Sequence, residues 1–376
     1  MNTFAFPLRL IPRVHRSTWT MRLTPVVALM MTVMLSVLLF LIQGASPLKG
    51  VIALVVSPLS SVGGIAEVLL KASPLCITAL GMAVAFRSNV NNIGAEGQVI
   101  LGGIGAATVA LHLPVAVPSY LGVPAVLLGG IIGGALWSSV PAGLRSKFSV
   151  NETLSSLLLV YVAIQLMSWL TSGPWRDPQG LNFPETELFN GNVTLPSLAH
   201  LGLTFWEGTR LNIAVLIAAA SVAATSLFID RSRIGYELIV AGQSQRAASY
   251  AGVSKSMSVW IPLLCSGGAA GLAGALEVSG SLGQLQAGWT PGYGFTAIVA
   301  AYLGRLKPVS IAISSGLLAQ IEIGSLNLQM ELGLPSALSY LIQGFLLLSI
   351  LGMDLMVRYD VQRKMLPIRN VEKQGV

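Results

Sequence analysis

Charge is what this 376-residue chain has least of: Asp, Glu, Lys and Arg together make up 10% of it, against 53% hydrophobic residues. With a mean hydropathy of +0.74, too little polar surface remains for a water-facing globule, so lipid is the solvent that the sequence implies. Histidine is also scarce. His15, His112 and His200 are far apart in sequence and offer no metal cluster or acid–base pair. The two cysteines, Cys76 and Cys265, both fall inside apolar runs, where a thiol packs rather than cross-links. No G-x-x-x-x-G-K-[ST], G-x-S-x-G or H-E-x-x-H pattern occurs. The first absence means that the chain does not cradle ATP phosphates in the usual way, so ATP drive has to come from a partner; the others leave no nucleophile or metal enzyme in view. The net charge of +7 is scattered between apolar runs rather than gathered in one patch, which argues against nucleic acid.

What is present is a series of continuous apolar runs. An α-helix needs roughly 20 residues to cross about 30 Å of hydrocarbon, and unpaired backbone is excluded there, so the predicted class is all-α, a polytopic transmembrane helical bundle. The runs lack the alternating polarity of a transmembrane β-barrel. Candidate spans cover 24–43, 73–87, 94–113, 121–143, 152–172, 211–230, 256–279, 293–304, 308–326 and 336–353, about ten in all. The run after Arg9, Arg13, Arg16 and Arg22 is longer than a signal-peptide core and reads as an uncleaved first span. The segment 50–70, with Pro58, Gly63, Gly64 and Glu67, reads as an outer interfacial or re-entrant piece.

Counted this way, with both termini cytoplasmic, all but Lys49, Lys71, Arg176 and Arg210 of the 22 basic residues face inward, as the positive-inside rule expects. The domain reading is a cytoplasmic tail 1–23, a transmembrane domain 24–353 and a cytoplasmic tail 354–376. Two loops stand out within it. An acidic, proline-rich outer loop, 173–210, separates five spans from five. An inner loop, 231–255, is too polar to span, yet rich in alanine and free of proline, so it predicts a short amphipathic helix against a partner. Five being odd, the two halves have opposite topology, an arrangement that places a substrate path at their interface.

Helices in lipid approach closely through small residues. Gly130 with Gly134, and Gly267 with Gly271 and Ala275, have that spacing and predict packing faces. The densest polar cluster is Arg87 to Gln98. Ser73-Pro74 predicts the start of the helix before it, and Asn92 a cap for the helix after it, placing Glu96 in a first turn where the helix dipole favours a carboxylate. Asn89, Asn91, Asn92, Glu96 and Gln98, with Asn151 at the next inner helix end, are the candidate pathway residues. They either line or shape a passage, or satisfy the backbone and neighbouring helices at a break; the sequence leaves both open. Asn151-Glu152-Thr153 reads as helix capping. Glu277 and Glu322, without nearby sequence partners, read as reaching water near outer ends.

At GMAVAFRSNVNNIGAEGQVILGG, Gly81 to Gly103, the sequence closely resembles the membrane subunits of ABC importers for nucleosides and simple sugars. Ala85, Phe86 and Arg87, then Asn92 to Gln98, match the family motif. Val150-Asn151-Glu152, the stretch Ala241 to Gly252, and Gly292-Tyr293-Gly294-Phe295-Thr296-Ala297-Ile298 with Leu303-Gly304-Arg305 resemble further family segments, giving coverage of about 73 to 325. The resemblance has departures: Gln243-Ser244-Gln245 stands where the family commonly has Glu-Asn-Pro, and Thr296 where Asp is frequent.

The resemblance implies a permease subunit of an inner-membrane importer that makes no covalent bond and carries no cofactor, ATP being bound by a separate ATPase. Its implied partners are a second permease, similar or identical, a cytoplasmic ABC ATPase, and an extracytoplasmic binding protein or lipoprotein. It also makes Gly242, Gln243, Arg246, Ala247, Ala248 and Gly252 the candidate ATPase-coupling residues. The competing reading from the residues alone is an ion-driven secondary transporter, which needs paired intramembrane acids, bases or histidines; no such pairs are evident along the chain.

Overall fold

In the computed structural model, residues 8–12, 18–290, 292–335 and 337–363 are described. They form two compact units, one of the described residues up to 51 together with those from 337 to 363, and one of those from 52 to 335.

In the first unit, α1 (Thr18–Ile42) packs against α13 (Ala337–Arg358), and the short α2 (Pro47–Val51) follows α1. Thr32 and Ser36 in α1 donate their hydroxyls to Ala28 O and Thr32 O, so these polar groups are satisfied within the helix. A strand pair departs from the all-α expectation. Strands β1 (Leu8–Pro12) and β2 (Tyr359–Arg363) pair antiparallel, with Ile11 opposite Asp360. His15 lies outside the described residues.

The second unit opens with a π-helical turn, Ile52–Val56, and a 3-10 turn, Ser57–Leu59. Then come α3 (Val62–Arg87), α4 (Ala95–His112), α5 (Ser119–Phe148), α6 (Glu152–Ser172), α7 (Ala214–Arg231), α8 (Arg233–Gln243), α9 (Gln245–Tyr250), α10 (Met257–Leu276), α11 (Tyr293–Leu303) and α12 (Pro308–Leu332). Among the described residues six helices are long and apolar enough to cross a membrane: α3, α5, α6, α7, α10 with its π-helical extension Glu277–Leu282, and α12. At 1.5 Å per residue, α3 runs for about 39 Å and α11 for only about 16 Å, so α11 is a half-helix.

The start of α3 corrects the expectation placed on Ser73-Pro74. The helix begins eleven residues earlier, at Val62, where the Ser61 side chain accepts from Gly64 N. Pro74 sits inside it. Proline removes the N–H that would pair Leu70 O, and the hydroxyls beside it bond other carbonyls of the helix: Ser73 Oγ donates to Leu69 O at 2.7 Å and Thr78 Oγ1 to Pro74 O at 2.9 Å. The segment 50–70 therefore divides into short helical turns and the first turns of a long helix.

The core of this unit is α10 held between α3, α4 and α5. The two small-residue faces predicted separately meet each other. A Cβ on Gly134 would overlap Gly267 O and the Gly271 backbone, and one on Gly271 would overlap Gly130 O. Only glycine permits this backbone contact, which brings dispersion over a long seam where lipid supplies no hydrophobic drive.

Residues 173–213 carry one 3-10 turn, Thr204–Trp206, and otherwise run as loop. They are fixed to the segment after α10: Thr186 N donates to Leu285 O at 2.9 Å, Leu195 N to Ser279 O at 3.0 Å, and Ala287 N to Pro184 O at 2.9 Å.

Candidate functional site

The predicted polar cluster lies at the turn from α3 to α4. The chain leaves α3 through Asn89, whose φ of 56° is left-handed, and enters α4 at Gly94, its N-cap. Asn92, predicted as the cap, stands two residues ahead of the observed N-cap. Its Oδ1 accepts from Gly94 N at 3.2 Å and from Gln98 Nε2 at 3.1 Å, while its Nδ2 donates to Gln98 Oε1 at 2.8 Å and to Ser266 Oγ of α10 at 2.9 Å. Asn92 and Gln98 thus exchange a pair of amide hydrogen bonds and reach across to α10. Left unpaired, each such buried group costs about 1–3 kcal/mol, so the pair fixes the break between the helices.

Glu96 is in the first turn of α4, as predicted, and its side chain serves another helix. The residue is 3% exposed, and its Oε2 accepts from Gly294 N at 2.6 Å. Thr290 and the Gly292 backbone also hydrogen-bond to it. The carboxylate therefore sits on the N-terminus of half-helix α11, where free N–H groups and the dipole favour an anion. A Cβ at Gly294 would overlap the Glu96 backbone, so glycine is required for this approach.

The neighbouring motif residues bind the other end of α11. Phe86 stacks on Tyr302 at 5.2 Å, and the Arg87 guanidinium donates twice to Leu306 O, at 3.1 and 2.8 Å. Arg87 so holds the turn from α11 to α12, where Arg305 and Leu306 both have positive φ.

The structure separates the predicted pathway residues into two sets. Asn92, Glu96 and Gln98 are buried, with Asn92 and Gln98 joined to each other and Glu96 to the start of α11, whereas Asn89, Asn91 and Asn151 are exposed. Asn151 caps α6, its Oδ1 accepting from Thr153 N at 2.9 Å and Leu154 N at 3.3 Å, as read from the sequence. Glu152 forms an ion pair with Arg145 and accepts from Asn91 N at 3.4 Å. Arg145, Asn151 and Glu152 border a cavity of about 620 Å³ that also takes in Gln245 and Lys255.

The 231–255 loop folds as two helices rather than one. Ser232 caps α8 by accepting from Gly235 N, and Ser244 caps α9 by accepting from Ala247 N. In α9 only Ala248 is buried, while Gln243 before it, Arg246 and Ala247 are exposed and Tyr250 is 94% exposed. Gly252 leaves the helix with φ 82°. Gly242, at the end of α8, touches the end of α3: a Cβ there would overlap Arg87 O and crowd Ser88.

Sequence reasoning missed one group and misplaced one acid. Lys71 lies within α3, and its Nζ donates to Glu277 Oε1 and to Tyr293 Oη, both at 2.8 Å. Glu277, 2% exposed, does not reach water, whereas Glu322 is half-buried. The partners are 206 residues apart, beyond any local signal. The same reach joins Arg210 to Glu67 through two hydrogen bonds of 3.0 and 2.9 Å.

Membrane-length helices, a half-helix capped by a buried carboxylate and a short helix with an unpartnered face define a polytopic membrane protein of the transport class. The family described as branched-chain amino acid transport system / permease component matches residues 64–351, and the chain belongs to that family. It is similar to the glucose ABC transporter permease protein TsgB13 of Haloferax volcanii, 33% identical over 94% of this chain and 93% of the relative. It is also similar to the guanosine ABC transporter permease protein NupP of Bacillus subtilis, 29% identical over 84% and 88%, and to the nucleoside ABC transporter permease protein NupB of Lactococcus lactis, 26% identical over 81% and 83%. No solved structure matches. The chain is the permease subunit of an ABC importer; ATP hydrolysis belongs to a partner subunit.

Proposed function

We propose that this permease forms the translocation path for a nucleoside or a simple sugar in a bacterial inner membrane, with about ten spans, both termini cytoplasmic and the 231–255 loop on the ATPase side. The cargo follows from the relatives, whose names give glucose, guanosine and nucleosides. The ATPase binds the ATP, and this chain needs no cofactor of its own. Its further partners are a second permease, similar or identical, and an extracytoplasmic binding protein or lipoprotein received by the outer loop, 173–210.

The observation that carries the coupling role is the outward face of α9 joined to α3 by Gly242. Force applied by an ATPase at Gln243, Arg246 and Ala247 reaches α3 where Arg87 holds the α11–α12 turn and where the chain passes to Asn92. Movement of α3 therefore displaces both ends of half-helix α11: Glu96 at its start and Arg87 beyond its end. Asn92, Glu96 and Gln98 shape the path by fixing this break, and Asn89, Asn91 and Asn151 border it on the ATPase side. Cargo and ATP bias the inward and outward states only through unequal affinity for the two.

A cysteine at Arg246 and one on the ATPase surface, cross-linked in the assembled complex, test this placement. Cross-linking that changes with ATP is the expected result; labelling of position 246 only from the outside of intact cells would contradict it.

A further inference from the structure

The α5–α6 turn, the start of α9 and the start of α10 border the cavity of about 620 Å³. That is about twenty times the ~30 Å³ share of one water and within the range of small-molecule sites, so a bare inorganic ion does not fill it.

Its wall carries donors without partners. Gln245 lines the cavity, and its Nε2 is buried with no hydrogen-bond partner. Among the described residues the Lys255 ammonium and the Ser149 and Ser256 hydroxyls have none either. The one acid of the wall is already spent: Glu152 pairs with Arg145 and accepts from Asn91 N. Arg145 and Lys255 against Glu152 leave a net positive wall. The helix ends act in the same sense. Ser256 opens the 20-residue α10 without a side-chain cap, so the positive end of that dipole stands at the wall. The negative end of α5 is closed by its own bonds, from Ser149 N to Arg145 O and from Val150 N to Leu144 O.

An ammonium without a counter-ion and an amide N–H without an acceptor need an anion with several oxygens, and the volume needs a body attached to it. A phosphate ester supplies both, and lysine is a common phosphate ligand. We infer that this cavity binds a phosphate ester, with Lys255 and Gln245 as donors to its phosphate. A soluble sugar phosphate and a phospholipid headgroup both carry that group.

The probe is radiolabelled ribose 5-phosphate, which lacks the base and the phosphate chain of the nucleotide that the ATPase holds. Its equilibrium binding to the complex of permease, ATPase and binding protein is measured in nanodiscs of phosphatidylcholine and of phosphatidylglycerol. Saturable binding in both, with unphosphorylated ribose unable to displace it, is the result expected for a soluble ester. Binding in phosphatidylcholine that phosphatidylglycerol abolishes would support the same phosphate site with lipid as its occupant. Lys255→Gln should weaken binding about tenfold, the worth of one hydrogen bond to a charged group. Gln245→Leu should weaken it several-fold, and Lys255→Arg should retain it. No saturable binding in phosphatidylcholine would overturn the site, as would displacement by ribose as effective as by the ester. Wild-type binding by Lys255→Gln would also overturn it; Lys255 is exposed, so that variant decides even where Gln245→Leu fails to accumulate.

A ligand here also ties α9 to the α5–α6 turn, so ester loaded inside vesicles should slow ATP-driven uptake. This consequence rests on the coupling role of α9 proposed above. Binding without slowing would contradict that role and leave the phosphate site standing.

Discussion

Glu96 and Gly294, 198 residues apart, are joined by a 2.6 Å hydrogen bond in which the Gly294 N–H donates to the buried Glu96 carboxylate. The bond ties the first turn of α4 to the start of α11. It also joins the two segments that most resemble the family, so their residues are parts of one structural unit.

Removing that acceptor leaves helix N–H groups buried without a partner. Glu96→Ala should lower the stability of the purified protein by about 2–3 kcal/mol, with Glu96→Gln intermediate because an amide oxygen still accepts. Thermal unfolding in detergent reads the difference, and ATP-driven uptake should fall in parallel. Equal melting of all three proteins would show that the cap contributes nothing.

Breaking the Lys71–Glu277 pair from one side should cost about 3–5 kcal/mol, because the other charge is left buried alone. Lys71→Met and Glu277→Leu should each destabilise strongly, and the double variant should recover much of the loss. A double-mutant cycle measures the coupling; additive losses would mean that the two charges do not interact.

At Gly271 any side chain meets the α5 backbone, so Gly271→Val should prevent accumulation of folded protein. Gly316 in α12 has open space where a Cβ would stand. Gly316→Ala should be neutral or stabilising by up to about 1 kcal/mol, since alanine is the better helix former. Size-exclusion profiles of the two variants separate close packing from helix propensity.

Arg246 is exposed on α9 and Ala248 is buried beneath it. Arg246→Glu should leave membrane abundance unchanged while uncoupling ATP hydrolysis from uptake. Ala248→Glu buries an unpaired charge and should reduce abundance. Normal uptake by Arg246→Glu would remove this residue from the coupling surface.

Much of this was legible in local sequence. Continuous apolar runs gave the helices, because lipid leaves the backbone no alternative, and the spacing of Gly130 with Gly134 and of Gly267 with Gly271 gave the seam they form. Asn151 as a cap and Glu96 in a first turn follow from rules that act within a few residues. The sequence misled at Pro74, which the long helix carries in its interior, and at Glu277. A carboxylate at membrane depth has to find a cation, and Lys71 lies on another element, as Gly294 does for Glu96. Pairing over such distances is a property of the packed bundle, not of any window of sequence. The short β1–β2 pair was invisible for the same reason, since its strands come from opposite ends of the described chain.

The most direct test of the central claim is uptake of radiolabelled nucleosides and simple sugars by vesicles holding this permease with its ATPase and binding protein, compared with vesicles lacking the ATPase. Saturable uptake of one cargo class that requires ATP and its hydrolysis is the predicted result. Uptake that ignores ATP and follows a proton or sodium gradient would contradict the account.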